Sequence, residues 1–165
     1  MKKKLKIIGL IPARWGSTRF VGKPLANISG KSMIRRVCEQ ARKSKTLNEV
    51  IVVTDDERIR DECLSHSMEC ILKKSKCHTG TDRIANVLED IDADIYVNIQ
   101  GDEPLIDPKS IDAVVKAVIK NSKVLTSNAY TEIKESYKVI DSDVVKVIFN
   151  AQSDAIYFSR SPIPF

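Results

Sequence analysis

The sequence predicts an α/β fold with a mainly parallel central sheet flanked by helices. Two observations carry that prediction. Short apolar runs of strand length recur at residues 7–11, 49–54, 68–72 and 94–99. Segments of helical periodicity separate them, and strands alternating with helices in this way imply right-handed crossovers between parallel strands. The chain, residues 1–165, reads as a single α/β domain with mixed or antiparallel pairing in its last third.

The first run, Ile7 to Ile11, suits one buried strand and stops at Pro12. A loop to Pro24 follows. Met33, Ile34, Val37, Cys38 and Ala41 then fall at helical spacing, with Arg35, Arg36, Glu39 and Gln40 on the other face. Residues 49–54 read as a strand buried on both faces. Asp55-Asp56 opens a short helix to about Cys63, and residues 68–72 form a third strand. Thr81 or Thr79 caps a helix in which Ile84, Leu88 and Ile91 share one face. Residues 94–99 make the fourth strand, broken by Gly101-Asp102-Glu103-Pro104. Asp107-Pro108 is a strong helix start, a cap followed by proline at the first helical position. Ile111, Val114, Val115, Val118 and Ile119 form its apolar stripe. Residues 124–129, 144–149 and 155–158 read as strands without a long helix between them, and 150–154 as a hairpin loop added at one side of the sheet.

Bulk properties narrow the function. The 42% hydrophobic and 30% charged content is that of a soluble globular protein. Of the net charge of +5, Lys2, Lys3, Lys4 and Lys6 supply four units, so the remainder carries no nucleic-acid footprint. The apolar run behind those lysines is short and ends at Pro12, which argues against a signal peptide. No other segment has the length to cross a membrane. Cys38, Cys63, Cys70 and Cys77 form no CxxC pair, and reduced thiols in the cytoplasm are expected.

In an open parallel sheet, ligands bind beyond the carboxyl ends of the strands. Loops 12–24, 54–56 and 100–104 emerge there. The first sets Arg14, Arg19 and Lys23 among Gly16, Ser17, Thr18 and Gly22. Cations beside exposed N–H groups and hydroxyls suit a polyphosphate, although such a loop is also compatible with a solvated turn. The Walker A spacing fails: five residues separate Gly16 from Gly22, and Pro24 stands where a hydroxyl is needed. Gly30-Lys31-Ser32 is a second decoy, and no GxGxxG occurs. The other two loops are acidic. Cations near carboxylates, without a thiol or imidazole cluster, point to a nucleoside triphosphate with Mg²⁺. Asp102 is the first choice as metal ligand, with a turn aspartate as the alternative. Asp55 and Asp56 read as caps or turn residues. Arg83 either reaches the same crevice or is a surface arginine, and His66 and His78 read as isolated.

Several motifs then occur together and in order: Ile11-Pro12-Ala13-Arg14, Ser17-Thr18-Arg19, Gly22-Lys23-Pro24, Thr79-Gly80-Thr81-Asp82-Arg83, Asn98-Ile99-Gln100-Gly101-Asp102-Glu103-Pro104 and Tyr157-Phe158-Ser159-Arg160. The set resembles the 3-deoxy-D-manno-octulosonate (Kdo) cytidylyltransferases, the CMP-Kdo synthetases. The resemblance implies a Rossmann-like nucleotide-diphospho-sugar transferase fold and a cytoplasmic, Mg²⁺-dependent enzyme. It also implies the reaction CTP plus Kdo giving CMP-Kdo plus diphosphate, for lipopolysaccharide or capsule synthesis. By motif, Arg14 and Lys23 grip the triphosphate, with Ser17 and Arg19 in the same loop. Ala13, Thr79 and Arg83 hold the cytidine, Gln100 lies at the sugar or ribose, and Asp102 holds Mg²⁺. Arg160 reaches the Kdo carboxylate. Members of the family are expected to be homodimers.

Two departures from the family pattern stand out. Val21 occupies a position usually held by proline, which removes no functional group. The chain also ends at Phe165, earlier than the family, so it is expected to be the nucleotide-binding portion of such an enzyme. The alternatives are a CTP-binding remnant without turnover, or a CMP-sugar synthetase for a related acidic sugar.

Overall fold

The computed structural model describes residues 4–16 and 20–164. The chain divides between Ser127 and Asn128 into two compact units. The first runs β1 (Ile7–Ala13), β2 (Asn27–Ile28), β3 (Lys31–Ser32), α1 (Met33–Ala41), β4 (Glu49–Thr54), α2 (Glu57–Ser65), β5 (Glu69–Leu72), α3 (Gly80–Ala85), β6 (Ile95–Asn98) and α4 (Pro108–Lys120). The second holds α5 (Tyr137–Ile140), β7 (Lys146–Phe149) and β8 (Ala155–Ser159).

The central sheet has the order β5-β4-β1-β6, and its pairs β1–β4, β1–β6 and β4–β5 are all parallel. β1 and β4 lack alternation because both of their faces are covered. Ile7, Ile11, Ala13, Val50 and Val52 face a core shared with Ile34 and Val37 of α1, Ile59 and Cys63 of α2, and Ile111 and Val115 of α4. Ile8, Leu10, Ile51 and Val53 point the other way, onto Ile84, Val87 and Ile91. Each fully buried Ile, Leu or Val contributes about 1.5–3 kcal/mol relative to an exposed one. The helical stripe of α1 is the one its spacing predicts: Met33, Ile34, Val37, Cys38 and Ala41 are all buried.

The strand order sets the place where a ligand crevice opens. From β1 the chain steps outward to β4 and β5, then returns to β6 on the other side of β1. Adjacent connections leaving β1 in opposite directions create a switch point at the carboxyl ends of β1 and β6. The ladder between the two strands ends there. Leu10 is the last β1 residue in the β6 register, and its carbonyl accepts the Ile99 N–H at 2.9 Å. Backbone alternation turns the next β6-facing position of β1 into Pro12, whose missing N–H coincides with the end of that ladder. Pro12 does not end the strand, as periodicity suggests; pairing with Val53 carries β1 on to Ala13.

Other elements differ from expectation in informative ways. The segment expected as one helix from Thr79 to Ile91 is α3 followed by a separate 3₁₀ turn, Leu88–Asp90. Gly30-Lys31-Ser32 belongs to a tight hairpin: Ser29 and Gly30 both have positive φ, 48° and 82°, as a type I′ turn between β2 and β3 requires. Residues 124–129 form no strand. β7 and β8 pair antiparallel, as expected of a hairpin, but make a two-stranded sheet of their own. In this second unit the Lys146 side chain is buried and donates to the carbonyls of Asp141, Val144 and Arg160. All four cysteines are free thiols. No helix among the described residues is long and apolar enough to cross a membrane.

Candidate functional site

A cleft of about 220 Å³ opens at the switch point. β1 supplies Pro12 and Ala13, and the loop after it supplies Arg14, Lys23 and Pro24. The start of α3 supplies His78, Thr79, Gly80 and Arg83, and the turn after β6 supplies Gln100, Gly101 and Asp102.

Pro12 is the pivot of this assembly. A Cβ on Gly101 would stand 2.6 Å from the Pro12 carbonyl oxygen, and one on Gly80 would stand 3.1 Å from the Pro12 ring. Only the absence of a side chain lets the β6 turn and the α3 start come this close to the end of β1. Thr79 then fixes α3 through a capping box: its hydroxyl accepts the Asp82 N–H at 3.0 Å, and the Asp82 carboxylate accepts the Thr79 N–H at 2.9 Å. That backbone hydrogen bond holds the Asp82 carboxyl below the usual carboxylate range.

Two ion pairs organise the charge. Lys23 Nζ donates to Asp102 Oδ2 at 2.8 Å. Arg83 Nη2 donates to Asp55 Oδ2 at 2.8 Å. Arg83 is buried, and its Nη1 has no hydrogen-bond partner. A buried guanidinium that lines a cleft and keeps one nitrogen unpartnered has donor capacity left for an acceptor on a ligand. Arg83 is therefore not a surface arginine. Asp55 is its counter-charge, whereas the neighbouring Asp56 is the cap of α2.

The cationic loop is closed at its base. The Gly22 N–H donates to the Trp15 carbonyl at 3.0 Å, and Gly22 has φ +71°, a left-handed conformation that favours glycine. Arg14 is exposed at the start of this loop. Ser17 and Arg19 lie outside the described residues. Gln100 is exposed and donates to Asn98 Oδ1 at 3.3 Å. Arg160 lies in the second unit, where its Nη1 donates to the Ser142 carbonyl at 2.8 Å.

The cleft thus gathers Ala13, Arg14, Lys23, Thr79, Arg83, Gln100 and Asp102 from separate stretches of sequence. It also includes His78, which looks isolated in the sequence. The signal for it was its position directly before the capping Thr79. Among the described residues no group of three or more His, Cys, Asp or Glu side chains is arranged to hold a metal ion. Among the described residues a single accessible carboxylate, Asp102, borders the cleft. One hard oxygen ligand of this kind fits a Mg²⁺ ion that takes its other oxygens from phosphate and water.

Comparison with known proteins shows the family of the chain. The chain is 42% identical over 99% of its length to a 3-deoxy-manno-octulosonate cytidylyltransferase of Chlamydia caviae, covering 66% of that protein. It is 43% identical over 97% of its length to one of Geobacter metallireducens, covering 63%. A solved structure of CMP:2-keto-3-deoxy-manno-octonic acid synthetase complexed with CTP superposes with a TM-score of 0.87 at 35% identity, over 97% of this chain and 66% of that one. The chain therefore spans just under two thirds of the length of these relatives. A family profile described as cytidylyltransferase matches residues 8–165, from the first residues of β1 through the second unit, and the chain belongs to the cytidylyltransferase family.

Proposed function

We propose that this chain binds CTP in the switch-point cleft and forms the nucleotide-binding part of an enzyme that activates Kdo. The reaction is CTP plus Kdo giving CMP-Kdo plus diphosphate. The observation that carries the reading is the Lys23–Asp102 pair: a cation and a carboxylate in contact on one wall of the cleft. A triphosphate with its metal ion offers each of them a better partner, phosphate oxygens for Lys23 and the cation for Asp102. Likeness to a synthetase complexed with CTP supports cytosine as the base.

In this reading the anomeric hydroxyl of Kdo attacks the α-phosphorus in line. Its oxygen–phosphorus bond forms as the bond to the pyrophosphate oxygen breaks, and the hydroxyl proton passes to solvent water. Little covalent chemistry is asked of the protein. Arg14 and Lys23 hold the phosphates and offset charge on the leaving pyrophosphate, together with Ser17 and Arg19. The Ala13 backbone, Thr79 and Arg83, with its unpartnered Nη1, hold the cytidine. Gln100 orients the sugar or ribose, and Arg160 serves the Kdo carboxylate. Asp102 would hold Mg²⁺, which supplies further neutralisation of phosphate charge when bound. The setting is cytoplasmic synthesis of lipopolysaccharide or capsule, and the full-length assembly is a homodimer.

Calorimetric titration with CTP, UTP and ATP, each with and without Mg²⁺, tests the reading. A Mg²⁺-enhanced preference for CTP supports it. A folded chain that binds none of the three overturns it.

A further inference from the structure

We infer that Arg58 is a positioning residue for the cationic loop, acting through Trp15: stacked on the indole, it fixes the ring that sets where Arg14 and Lys23 stand. The inference rests on the nucleotide reading above and deepens it by naming what orders the phosphate-binding cations.

The stack is built from three contacts. Asp56 caps α2 by accepting the Arg58 N–H at 3.0 Å. The same carboxylate accepts from Arg58 Nε at 2.9 Å and from Nη2 at 2.6 Å. A guanidinium held on two of its donors has one orientation, and its Cζ lies 3.4 Å from the Trp15 ring centroid. That is a cation–π stack at contact distance. Trp15 also packs against the core beneath the sheet.

Trp15 in turn joins both shoulders of the loop, through its backbone and its ring. Trp15 directly follows Arg14. Gly22, directly before Lys23, donates its N–H to the Trp15 carbonyl at 3.0 Å. A Cβ on Gly22 would stand 2.9 Å from the indole, so the backbone there lies against the ring. Neither Arg58 nor Trp15 lines the cleft. Their effect on a ligand is indirect: a fixed ring spares the cost of ordering Arg14 and Lys23 when phosphates arrive. A cytidine without phosphates, held by Thr79 and Arg83, gains nothing from it.

Trp15 is the sole tryptophan, so its emission reports the stack directly. The experiment compares the wild-type chain with Arg58→Ala, Arg58→Gln and Arg58→Lys. It measures acrylamide quenching without ligand, and affinity for CTP, inorganic pyrophosphate and cytidine. The Arg58 side chain is 56% exposed, so truncation opens no cavity, and Arg58→Gln keeps the stem should Arg58→Ala fold poorly. Arg58→Ala and Arg58→Gln are expected to raise quenching and weaken CTP and pyrophosphate about two- to fivefold, with cytidine unchanged. Arg58→Lys, which keeps a cation without the planar fork, is expected to fall between. Unchanged quenching, unchanged CTP affinity, or equal losses for CTP and cytidine would each overturn the inference. A wild-type chain that binds neither CTP nor cytidine overturns the nucleotide reading and the inference with it. A wild-type chain that binds CTP, matched by Arg58→Ala, overturns the inference alone.

Discussion

Arg83 gives Nη2 to Asp55 at 2.8 Å and keeps Nη1 buried without a partner. The two partners differ in exposure: the Arg83 side chain is 5% accessible and that of Asp55 is 33%. Removing Asp55 leaves a buried cation unpaired, whereas removing Arg83 leaves a carboxylate that water can reach. Asp55→Ala is therefore expected to cost about 1–3 kcal/mol in urea unfolding, and Arg83→Met less. Arg83→Met is nevertheless expected to lose most cytidine affinity. Equal stability losses would contradict this assignment of the buried charge.

Lys23 and Asp102 share one contact but are proposed to serve different parts of the ligand. Lys23→Ala is expected to weaken CTP about tenfold or more while sparing cytidine, because only the triphosphate needs the cation. Asp102→Asn is expected to reduce the Mg²⁺ enhancement of CTP binding without changing the thermal midpoint appreciably. Titration of both variants with and without Mg²⁺ checks the pair. Unchanged Mg²⁺ dependence in Asp102→Asn would remove it as the metal ligand.

Gly101 approaches the Pro12 carbonyl so closely that any side chain must displace backbone. Gly101→Ala is expected to destabilise the chain by about 1–3 kcal/mol, the usual cost of overpacking. It should also shift Asp102 and weaken CTP by more than the stability loss alone accounts for. Chemical denaturation and CTP titration of the same variant separate the two effects.

Asp112 is expected to make the fold sensitive to acid. Its Oδ1 accepts from Ser44 Oγ at 2.6 Å and from Thr46 Oγ1 at 2.9 Å, besides the N–H groups of Lys45 and Thr46. The Ser44 hydroxyl, followed by the Thr46 contacts, holds its carboxyl below the ordinary range. A carboxyl whose folded value is depressed stabilises the fold above its unfolded value of about 3.9. That stability is lost as pH falls through the folded value. Asp112→Asn is expected to lower stability at pH 7 by about 1.5–3 kcal/mol. It should also flatten the decline of the thermal midpoint below pH 4, measured against wild type.

Local chemistry was legible along the chain. The α1 stripe, the continuous apolar run of β4 and the Asp107-Pro108 start of α4 depend on residues a few positions apart, and each lies where its pattern puts it. The early end of the helix after Thr79 was not legible. Its apolar spacing continues to Ile91, but the chain turns at Val87 so that Val87 and Ile91 can both pack onto the sheet. Nor was Asp112: it lies in a helical run, but its partners are more than sixty positions away.

The sequence by itself determined the α/β class, the helix starts and the inventory of cations and carboxylates at strand ends. These follow from periodicity, caps and residue type, which act over a few residues. Only the tertiary structure decided which of those groups meet. Lys23 and Asp102 are 79 positions apart, and Arg83 and Asp55 are 28 apart. Their encounters depend on the order β5-β4-β1-β6 and on Pro12 accepting Gly80 and Gly101 against its surface. Strand order is a property of the packed sheet and leaves no local trace in the chain. The pairing of charges at the cleft, and the stack of Arg58 on Trp15, became readable only once that order was known.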